Sequence, residues 1–570
     1  MHRFKFILVT ACAILLFTAY SPYNAVVKEI RIRGNETIST RQILDLMTLK
    51  VGSTYIFENL SNDIKKINNL YHQKGFYFPV IVVDTLIYSE DSNRVIVSLL
   101  IKEGSPIKIG EINLSGNSFF KSDDIISNFQ SRVGNVFLPT ILEEDFDRLL
   151  NEYGRAGFPF ASIRLKNISI IENDKNNNLS LLIEIDEGKR VTIDRIEITG
   201  NTSTKDNVIV RESRIKLHEI YNKNKVDKIG ERLRRLGIFS QVEEPMVYTG
   251  EYGGGLIIKV VEGRTNIFDA VVGYMPDVNV FTGMVKVGMG NVFGTGRKID
   301  VNWFKDERKS QEINLKYLEP WILNLPLNVS IGFDQRQQDT IFIRRGIKVQ
   351  GDLILHEYFT LGGSVFYENI IPSNITTKLM RSTNQMIGAE IKYDSRDDLI
   401  YPTRGIFYSS SFFAGKKIRE IDHTSIQRIG IDLDIYLSLF PKNVLRLGLH
   451  GRTLSGGGIE IGDLYRFGGT NSVRGYRENQ FTGKDIAWTN LEYRILSSPR
   501  SFIFGFIDSG YYLLNFDETV QNSSLKEYLI GYGVGIRLQT AIGNVGISFG
   551  FGEGDSFLDG KVHFGLMNEF

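Results

Sequence analysis

Three short motifs that recur in the same order through the first half of the sequence constrain its fold more than any other feature. The opening motif ends on a Gly-Asn pair, which occurs at Gly34-Asn35, Gly116-Asn117 and Gly200-Asn201. The three glycines are spaced by 82 and 84 residues (116 − 34 and 200 − 116). The middle motif is Lys74-Gly75-Phe76, Ala156-Gly157-Phe158 and Leu236-Gly237-Ile238-Phe239, and the closing motif is Glu103-Gly104, Glu187-Gly188 and Glu262-Gly263. This pattern predicts three copies of one small domain.

Within each repeat the periodicity predicts the order strand, helix, helix, strand, strand. The opening alternates apolar and polar residues and ends on Gly-Asn, a pair that tolerates the positive φ of a turn. Helical spacing follows, as in Leu60, Ile64, Ile67 and Tyr71. The predicted α+β domains are residues 26–104, 105–188 and 189–264. An array of such domains acting only as a spacer is the alternative.

From residue 265 onward helical periodicity gives way to about sixteen strand-like segments, which predict a transmembrane antiparallel β-barrel over residues 265–570. Gly, Asn, Asp and Pro clusters separate the segments. The connections alternate between short and long, and the long ones fall near 369–381, 454–483 and 511–527. Short connections on one side and long ones on the other are typical of outer-membrane barrels. A pair of soluble β-sandwiches is the alternative.

The N-terminus is predicted to be a secretory signal peptide, residues 1–25. Arg3 and Lys5 precede an apolar stretch that runs from Phe6 to Phe17 and contains Cys12, the only cysteine of the sequence. Without that segment the chain would have no thiol chemistry. The net charge of +1 gives no sign of nucleic-acid binding.

The C-terminal segment is expected to be the last barrel strand and to carry an assembly signal. Bulky apolar residues lie mostly on one face, at Phe564, Leu566 and Phe570. A terminal aromatic residue on such a strand is similar to the signal by which barrel proteins are themselves inserted.

Several motifs resemble those of a known superfamily, the outer-membrane assembly and secretion proteins of BamA and TamA type. The repeats resemble polypeptide-transport-associated (POTRA) domains. The barrel carries Val473-Arg474-Gly475-Tyr476 in its longest loop, Gly505-Phe-Ile-Asp508-Ser-Gly510 on a strand, and Leu491-Glu492-Tyr493 on the strand between them. The resemblance implies three periplasmic POTRA domains, an outer-membrane barrel and a loop that folds back into its lumen. Three repeats favour the TamA type, because BamA usually carries five.

Arg474 is predicted to anchor this loop by bridging Asp508 and Glu492. A guanidinium group has five donors and suits a pair of carboxylates better than an ammonium group does. Gly475 allows the backbone to turn sharply after the arginine. With Val473, Tyr476 and Gly510 these residues form the predicted loop anchor. Three solvated lumen charges without a fixed partner are the alternative.

No catalytic site, metal or cofactor is predicted. Gly546-Ile-Ser548-Phe-Gly550 fits the nucleophile-elbow pattern, but it lies within an alternating strand that no helix follows. The expected function is outer-membrane protein assembly, with unfolded clients captured on the repeats and inserted through a lateral seam between the first and last barrel strands. The expected partners are those clients, outer-membrane lipid, and a periplasmic or inner-membrane-anchored protein or lipoproteins. A general BamA-type insertase and a secretion channel for a single partner protein remain alternatives, and a passive porin conflicts with a lumen-filling loop.

Overall fold

The computed structural model describes residues 25–569 except 91–92, 174–175, 252, 276–279, 306–309, 374–378, 515–524 and 541–542. The predicted signal peptide and Cys12 therefore lie outside the described residues. The chain divides into two compact units. One holds the first two repeats together with residues 189–192 and 220–224, and the other holds the rest of the third repeat and the barrel.

The first two repeats share one arrangement, in which two helices cover a three-stranded sheet. In each sheet the last strand of the repeat lies in the centre, parallel to the first strand and antiparallel to the second. The elements of the first repeat are β1 (Val26–Arg33), α1 (Thr40–Leu46), α2 (Phe57–His72), β2 (Val80–Tyr88) and β3 (Arg94–Lys102). Those of the second are β4 (Lys108–Ser115), α3 (Ser122–Asn128), α4 (Pro139–Ala156), β5 (Ser162–Asn173) and β6 (Asn176–Asp186).

The core of each of these repeats lies between the helices and the central strand. In the first repeat Ile67 and Tyr71 of α2 are fully buried against Val95 and Val97 of β3. Tyr153 of α4 occupies the equivalent place in the second repeat and is also fully buried. The predicted apolar stripe of the longer helix is therefore the face that packs on the sheet.

The opening and closing motifs of a repeat are in direct contact, which explains why they recur together. The carboxylate of the closing glutamate accepts a backbone N–H from the turn that follows Gly-Asn. The distances are 2.9 Å from Thr37 to Glu103, 2.8 Å from Ser118 to Glu187 and 2.6 Å from Thr204 to Glu262. Although burial raises the pKa of Glu262, hydrogen bonds from Thr204, Thr202 and Ser203 lower it to about 2.

The glycine and asparagine of the opening motif have separate roles in this contact. Gly34 has a φ of +81°, and a Cβ on it would lie 2.1 Å from the carbonyl oxygen of Ile101. Asn35 donates from Nδ2 to the carbonyl oxygen of Ile38 at 2.8 Å, which closes the turn before α1. The same two features recur at Gly116-Asn117 and Gly200-Asn201. The turn therefore requires glycine at its first position.

The third repeat keeps this plan but has additional short elements. Its helices and strands are β7 (Thr192–Thr199), α5 (Asp206–Ser213), β8 (Glu219–Ile220), α6 (Lys223–Asp227), α7 (Ile229–Arg235), β9 (Phe239–Val242), β10 (Met246–Gly250) and β11 (Gly253–Glu262). The helical spacing of Val226, Ile229, Leu233 and Leu236 predicts one helix, but the structure has two helical segments that meet at Lys228. Gly230 lies just after the break and lowers the helix propensity there.

Sixteen strands of the described chain form a closed barrel in which every pair of neighbours is antiparallel. Two further short strands, β23 (Tyr465–Phe467) and β24 (Phe481–Gly483), form a hairpin within residues 457–484, which connect two of the barrel strands. The barrel strands are β12 (Asn266–Met275), β13 (Val280–Val292), β14 (Arg297–Lys305), β15 (Gln311–Glu319), β16 (Leu327–Gln338), β17 (Phe342–Ile354), β18 (Phe359–Pro372), β19 (Ser382–Asp394), β20 (Gly405–Arg419), β21 (His423–Phe440), β22 (Asn443–Gly456), β25 (Asp485–Ser498), β26 (Ser501–Leu514), β27 (Leu525–Thr540), β28 (Gly543–Gly552) and β29 (Lys561–Glu569).

Alternation along the barrel strands gives an apolar outer face and a polar lumen. On β26 the side chains of Ile503 and Ile507 are more than half exposed, whereas Phe506 and Asp508 are buried. A membrane barrel has this pattern because its outer face contacts lipid and its inner face does not. No helix among the described residues is long and apolar enough to cross a membrane.

The third repeat contacts the turns at the end of the barrel where the chain enters β12. Arg232 of α7 donates to Glu357, in the turn between β17 and β18, from both Nε (3.0 Å) and Nη2 (2.5 Å). Lys228 also reaches Glu357, at 3.4 Å. Trp321, in the turn between β15 and β16, donates to Glu212 of α5 at 2.7 Å. Two turns at this end of the barrel therefore bind α5 and the start of α7.

Candidate functional site

The connection between β22 and β25 folds into the barrel and is held there as a structured loop. Its hairpin pairs Tyr465 with Gly483 and Phe467 with Phe481. Between the two hairpin strands the chain runs through Val473 and Arg474, which are buried. A loop in the lumen loses conformational entropy, so its position must be stabilised by specific contacts.

Arg474 makes three charge-assisted hydrogen bonds with its side chain. Its Nε and Nη2 donate to the two oxygens of Asp508 at 2.7 and 2.8 Å, and its Nη1 donates to Glu492 at 2.6 Å. The backbone N–H of Arg474 donates to Asp508 as well, at 3.0 Å. The relative exposures are 6% for Arg474, 4% for Glu492 and 0% for Asp508. The fork geometry and the near-complete burial make this an ion pair that water screens little.

The two carboxylates are positioned by polar side chains of β25. Asn490 of β25 donates to Asp508 at 2.9 Å and to the carbonyl oxygen of Ser472 at 2.6 Å, so it links the loop to the acid. Arg494, also of β25, donates to the second oxygen of Glu492 at 2.6 Å. Alternation places Asn490, Glu492 and Arg494 on one face of the strand. The acids are thus pre-arranged to receive Arg474.

A row of glycines on the barrel wall lets the loop backbone approach closely. A Cβ on Gly531 of β27 would lie 1.8 Å from the carbonyl oxygen of Arg474, and one on Gly510 would lie 2.8 Å from a methyl group of Val473. Gly475 itself has a φ of +94°, and a Cβ on it would lie 2.3 Å from the carbonyl oxygen of Phe551. We call this position of the tip of the loop against the barrel wall its seat. Larger residues at these places would displace the loop from it.

Apolar packing completes the seat. Val473 is fully buried in a cluster with Phe467, Tyr512 and Leu529. The hydroxyl of Tyr476 donates to the carbonyl oxygen of Ile530 at 3.1 Å and accepts the N–H of Glu553 at 3.2 Å. The guanidinium of Arg474 lies 3.8 Å from the ring centroid of Phe506, a cation–π contact.

The structure thus brings together all seven residues predicted for the loop anchor. Their importance for function stays a prediction. Phe564 and Leu566 lie on β29, the last barrel strand, and Phe570 lies outside the described residues. Their proposed role as an assembly signal also stays a prediction. Among the described residues no group of three or more His, Cys, Asp or Glu side chains is placed to hold a metal ion.

Sequence reasoning missed a second cluster around the same loop. Asp463, which is fully buried, forms an ion pair with the fully buried Lys417 of β20. It also accepts a hydrogen bond from Asn384 of β19 at 3.0 Å. Asn384 in turn donates to Glu368 of β18, which accepts from Arg428 of β21 at 2.7 Å. This cluster lies on the wall formed by β18–β21, whereas the Arg474 contacts lie on β25–β28.

A closed antiparallel barrel whose lumen holds an anchored loop, preceded by α+β repeats, defines a POTRA-bearing outer-membrane barrel protein. The model of the Omp85 superfamily domain matches residues 291–570. The POTRA model, described as the surface antigen variable number repeat, matches residues 25–104, 107–188 and 191–263. The chain belongs to the Omp85 superfamily. Its barrel lies in the outer membrane and its repeats in the periplasm.

Two curated relatives and one solved structure are similar to this chain, the structure in its fold. The chain is 24% identical to an outer membrane protein assembly factor BamA of Nitratidesulfovibrio vulgaris, over 99% of this chain and 75% of the relative. It is 24% identical to the BamA of Neisseria meningitidis serogroup B, where the match spans 55% of this chain and 40% of the relative. The fold is similar to that of CdiB from Escherichia coli, with a TM-score of 0.53, 12% identity, and coverage of 90% of this chain and 98% of that one.

Proposed function

We propose that this protein captures unfolded outer-membrane proteins on its periplasmic repeats and inserts them into the membrane through the seam between β12 and β29. The observation that carries the proposal is the short pairing at this seam. Of the ten residues of β12, all pair with β13, whereas among the described residues only Ile267, Phe268 and Asp269 pair with β29. Every other pair of neighbouring barrel strands has at least seven paired positions.

A short seam suits insertion for a physical reason. A strand that enters lipid with unpaired backbone groups costs several kcal/mol for each group, on the order of the values for unsatisfied amides. An opened seam offers two strand edges on which a client strand can form its hydrogen bonds before it leaves the protein. Opening requires few bonds to break, and the mechanism needs no cofactor and no catalytic residue.

The repeats support the capture step through their free sheet edges. β2 and β5 are edge strands of their sheets. Their outward residues include exposed apolar side chains, such as Val80 and Val82 on β2 and Ile168 and Ile170 on β5. An extended client segment can add to such an edge through backbone hydrogen bonds, which depend little on its sequence. Crosslinkers along β2 and β5 should capture segments of diverse clients. Capture of one partner alone would favour the secretion channel.

A reversible crosslink across the seam tests the insertion step. Phe268→Cys and Asn568→Cys lie opposite each other across the seam. Phe268→Cys and Val287→Cys, which lie opposite each other between β12 and β13, form the matched control. With Cys12→Ser in both variants no other cysteine is present. Vesicles holding each variant are given an unfolded barrel client, and its protease-resistant folding is measured.

The oxidised seam variant should lose client insertion and regain it on reduction, whereas the control pair should remain active in both states. Full activity in the oxidised, demonstrably crosslinked seam variant would overturn lateral insertion. The number of clients is decided separately, by depletion followed by an outer-membrane proteome. Three repeats favour a TamA-type factor with few clients, and the names of the curated relatives favour a BamA-type factor with many. Loss of a single secreted protein would instead identify a secretion channel.

A further inference from the structure

The loop in the lumen has two parts whose charged side chains bind different walls of the barrel, while Phe467 of the first part packs in the same apolar cluster as Val473 of the second. The first part, here called the stalk, is residues 457–467 together with β24, which pairs with β23. The second part, the tip, is residues 468–480 and contains Arg474. The stalk carries Asp463, whose partners lie on β19 and β20, and the tip is held on β25–β28.

Two glycines mark the junction between stalk and tip. Gly468 has a φ of +115° and Gly469 has a φ of +89°, which are conformations that other residues rarely adopt. The pair follows directly on β23 and therefore lies where the hairpin ends. A backbone with two such residues can change direction at low cost, so the tip can move while the hairpin stays paired.

We propose that Asp463 and Lys417 form a second, independent anchor, which fixes the stalk so that only the tip is released when the Arg474 contacts break. Asp463 is a positioning residue in this role. The second anchor concerns the loop itself, so it is tested by a readout that does not require the assembly activity proposed above.

The charges around the stalk predict which substitution is the more damaging. Glu460 and Asp463 of the stalk both lie near Lys417, and Glu368 lies on the wall close by. Without Lys417, the cation that remains near Asp463 among the described residues is Arg428 at 4.0 Å, and Arg428 already forms an ion pair with Glu368. Buried carboxylates without a cation repel one another and favour hydration. Loss of Lys417 should therefore expel the stalk, whereas loss of the Asp463 charge leaves Lys417 with Glu460.

Tryptic cleavage of the folded protein in vesicles distinguishes stalk from tip, because Arg466 lies in the stalk and Arg477 in the tip. Lys417→Met should raise cleavage after Arg466 at least about tenfold, as expected when one partner of a buried pair is removed and cleavage follows the open population. Arg474→Ala should raise cleavage after Arg477 and leave Arg466 protected. Lys416→Met, an exposed neighbour on the same strand, is the matched control and should change neither site.

The double variant provides the sharper test. Adding Asp463→Asn to Lys417→Met removes the repulsion, so cleavage after Arg466 should be slower than in Lys417→Met alone. Heat-modifiable electrophoresis confirms that each barrel is folded. If Lys417→Met does not fold, Asp463→Asn alone should still raise cleavage after Arg466, by less than Arg474→Ala raises it after Arg477. Wild-type protection of Arg466 in the folded Lys417 or Asp463 variants, or equal exposure of Arg466 and Arg477 in Arg474→Ala, would overturn the second anchor.

Discussion

Arg474→Ala should release the tip of the loop without unfolding the barrel. The substitution removes three side-chain hydrogen bonds, all charge-assisted and nearly fully buried. Removing one partner of a buried pair costs about 3–5 kcal/mol. Asn490 still donates to Asp508 and Arg494 still donates to Glu492. The free-energy cost should therefore lie at the low end of this range, about 3 kcal/mol. The open population of the tip should then rise on the order of 100-fold, since about 1.4 kcal/mol corresponds to a factor of ten.

Proteinase K digestion in vesicles measures this release, and heat-modifiable electrophoresis confirms that the barrel strands remain paired. Arg477→Ala is the matched control, because this arginine lies three residues further in the same loop and is exposed. Client insertion should fall in Arg474→Ala and stay unchanged in Arg477→Ala. Asp508→Ala should resemble Arg474→Ala, and the double variant should be little worse than either single one because both remove the same contact. Wild-type protease resistance and activity in Arg474→Ala would refute the anchor.

Three further predictions follow from particular contacts. Gly531→Ala should expose the tip to proteinase K because its Cβ would lie 1.8 Å from the Arg474 carbonyl oxygen, whereas Gly505→Ala, with nothing within 4 Å, should behave as wild type. Arg232→Ala should raise hydrogen exchange in the turn 355–358 by weakening contacts worth about 1.5–3 kcal/mol, and the exposed Arg234→Ala should not. The pKa of Glu262 is lowered from 4.5 to about 2, so its contribution to the stability of the third repeat is complete above pH 4.5 and is lost as the pH falls towards 2. Hydrogen exchange across residues 192–262 should rise over that range in the wild type, and Glu262→Gln should show the raised exchange already at neutral pH without this acid dependence.

The architecture could be predicted because its signals are periodic. A motif that occurs three times in the same order defines a domain array, and the direct contact between the Gly-Asn turn and the closing glutamate explains why the two motifs recur together. The alternation of apolar and polar residues and the lengths of the connections were enough to predict a barrel of about sixteen strands. Successive residues of a barrel strand face lipid and lumen in turn, so this alternation is visible in the sequence. The contacts of Arg474 could be predicted because three motifs resemble those of a known superfamily and because a guanidinium group suits a pair of carboxylates.

The second anchor could not be predicted, because neither of its residues stands out in the sequence. Lys417 is 46 residues from Asp463, and it directly follows another lysine, Lys416, that points outward. Only the register of β20 decides which of the two lysines faces the lumen, and a shift of one residue would exchange them. The interrupted helix of the third repeat was missed for a related reason, since its apolar spacing fits one helix as well as two.

The glycine row and the ion pair have different parts in seating the loop. The ion pair favours one position of the tip, and its strength depends on the charge of both partners. Gly531 contributes no attraction, but it allows the Arg474 carbonyl oxygen to approach to a distance that any side chain would prevent. Removal of a charge from the ion pair therefore weakens the binding of the tip, whereas a methyl group at position 531 prevents the tip from taking this position. With 55 glycines in the sequence, composition alone could not single out this one. The seat depends on where the strand register places Gly531 relative to Arg474, and that placement is a property of the folded barrel.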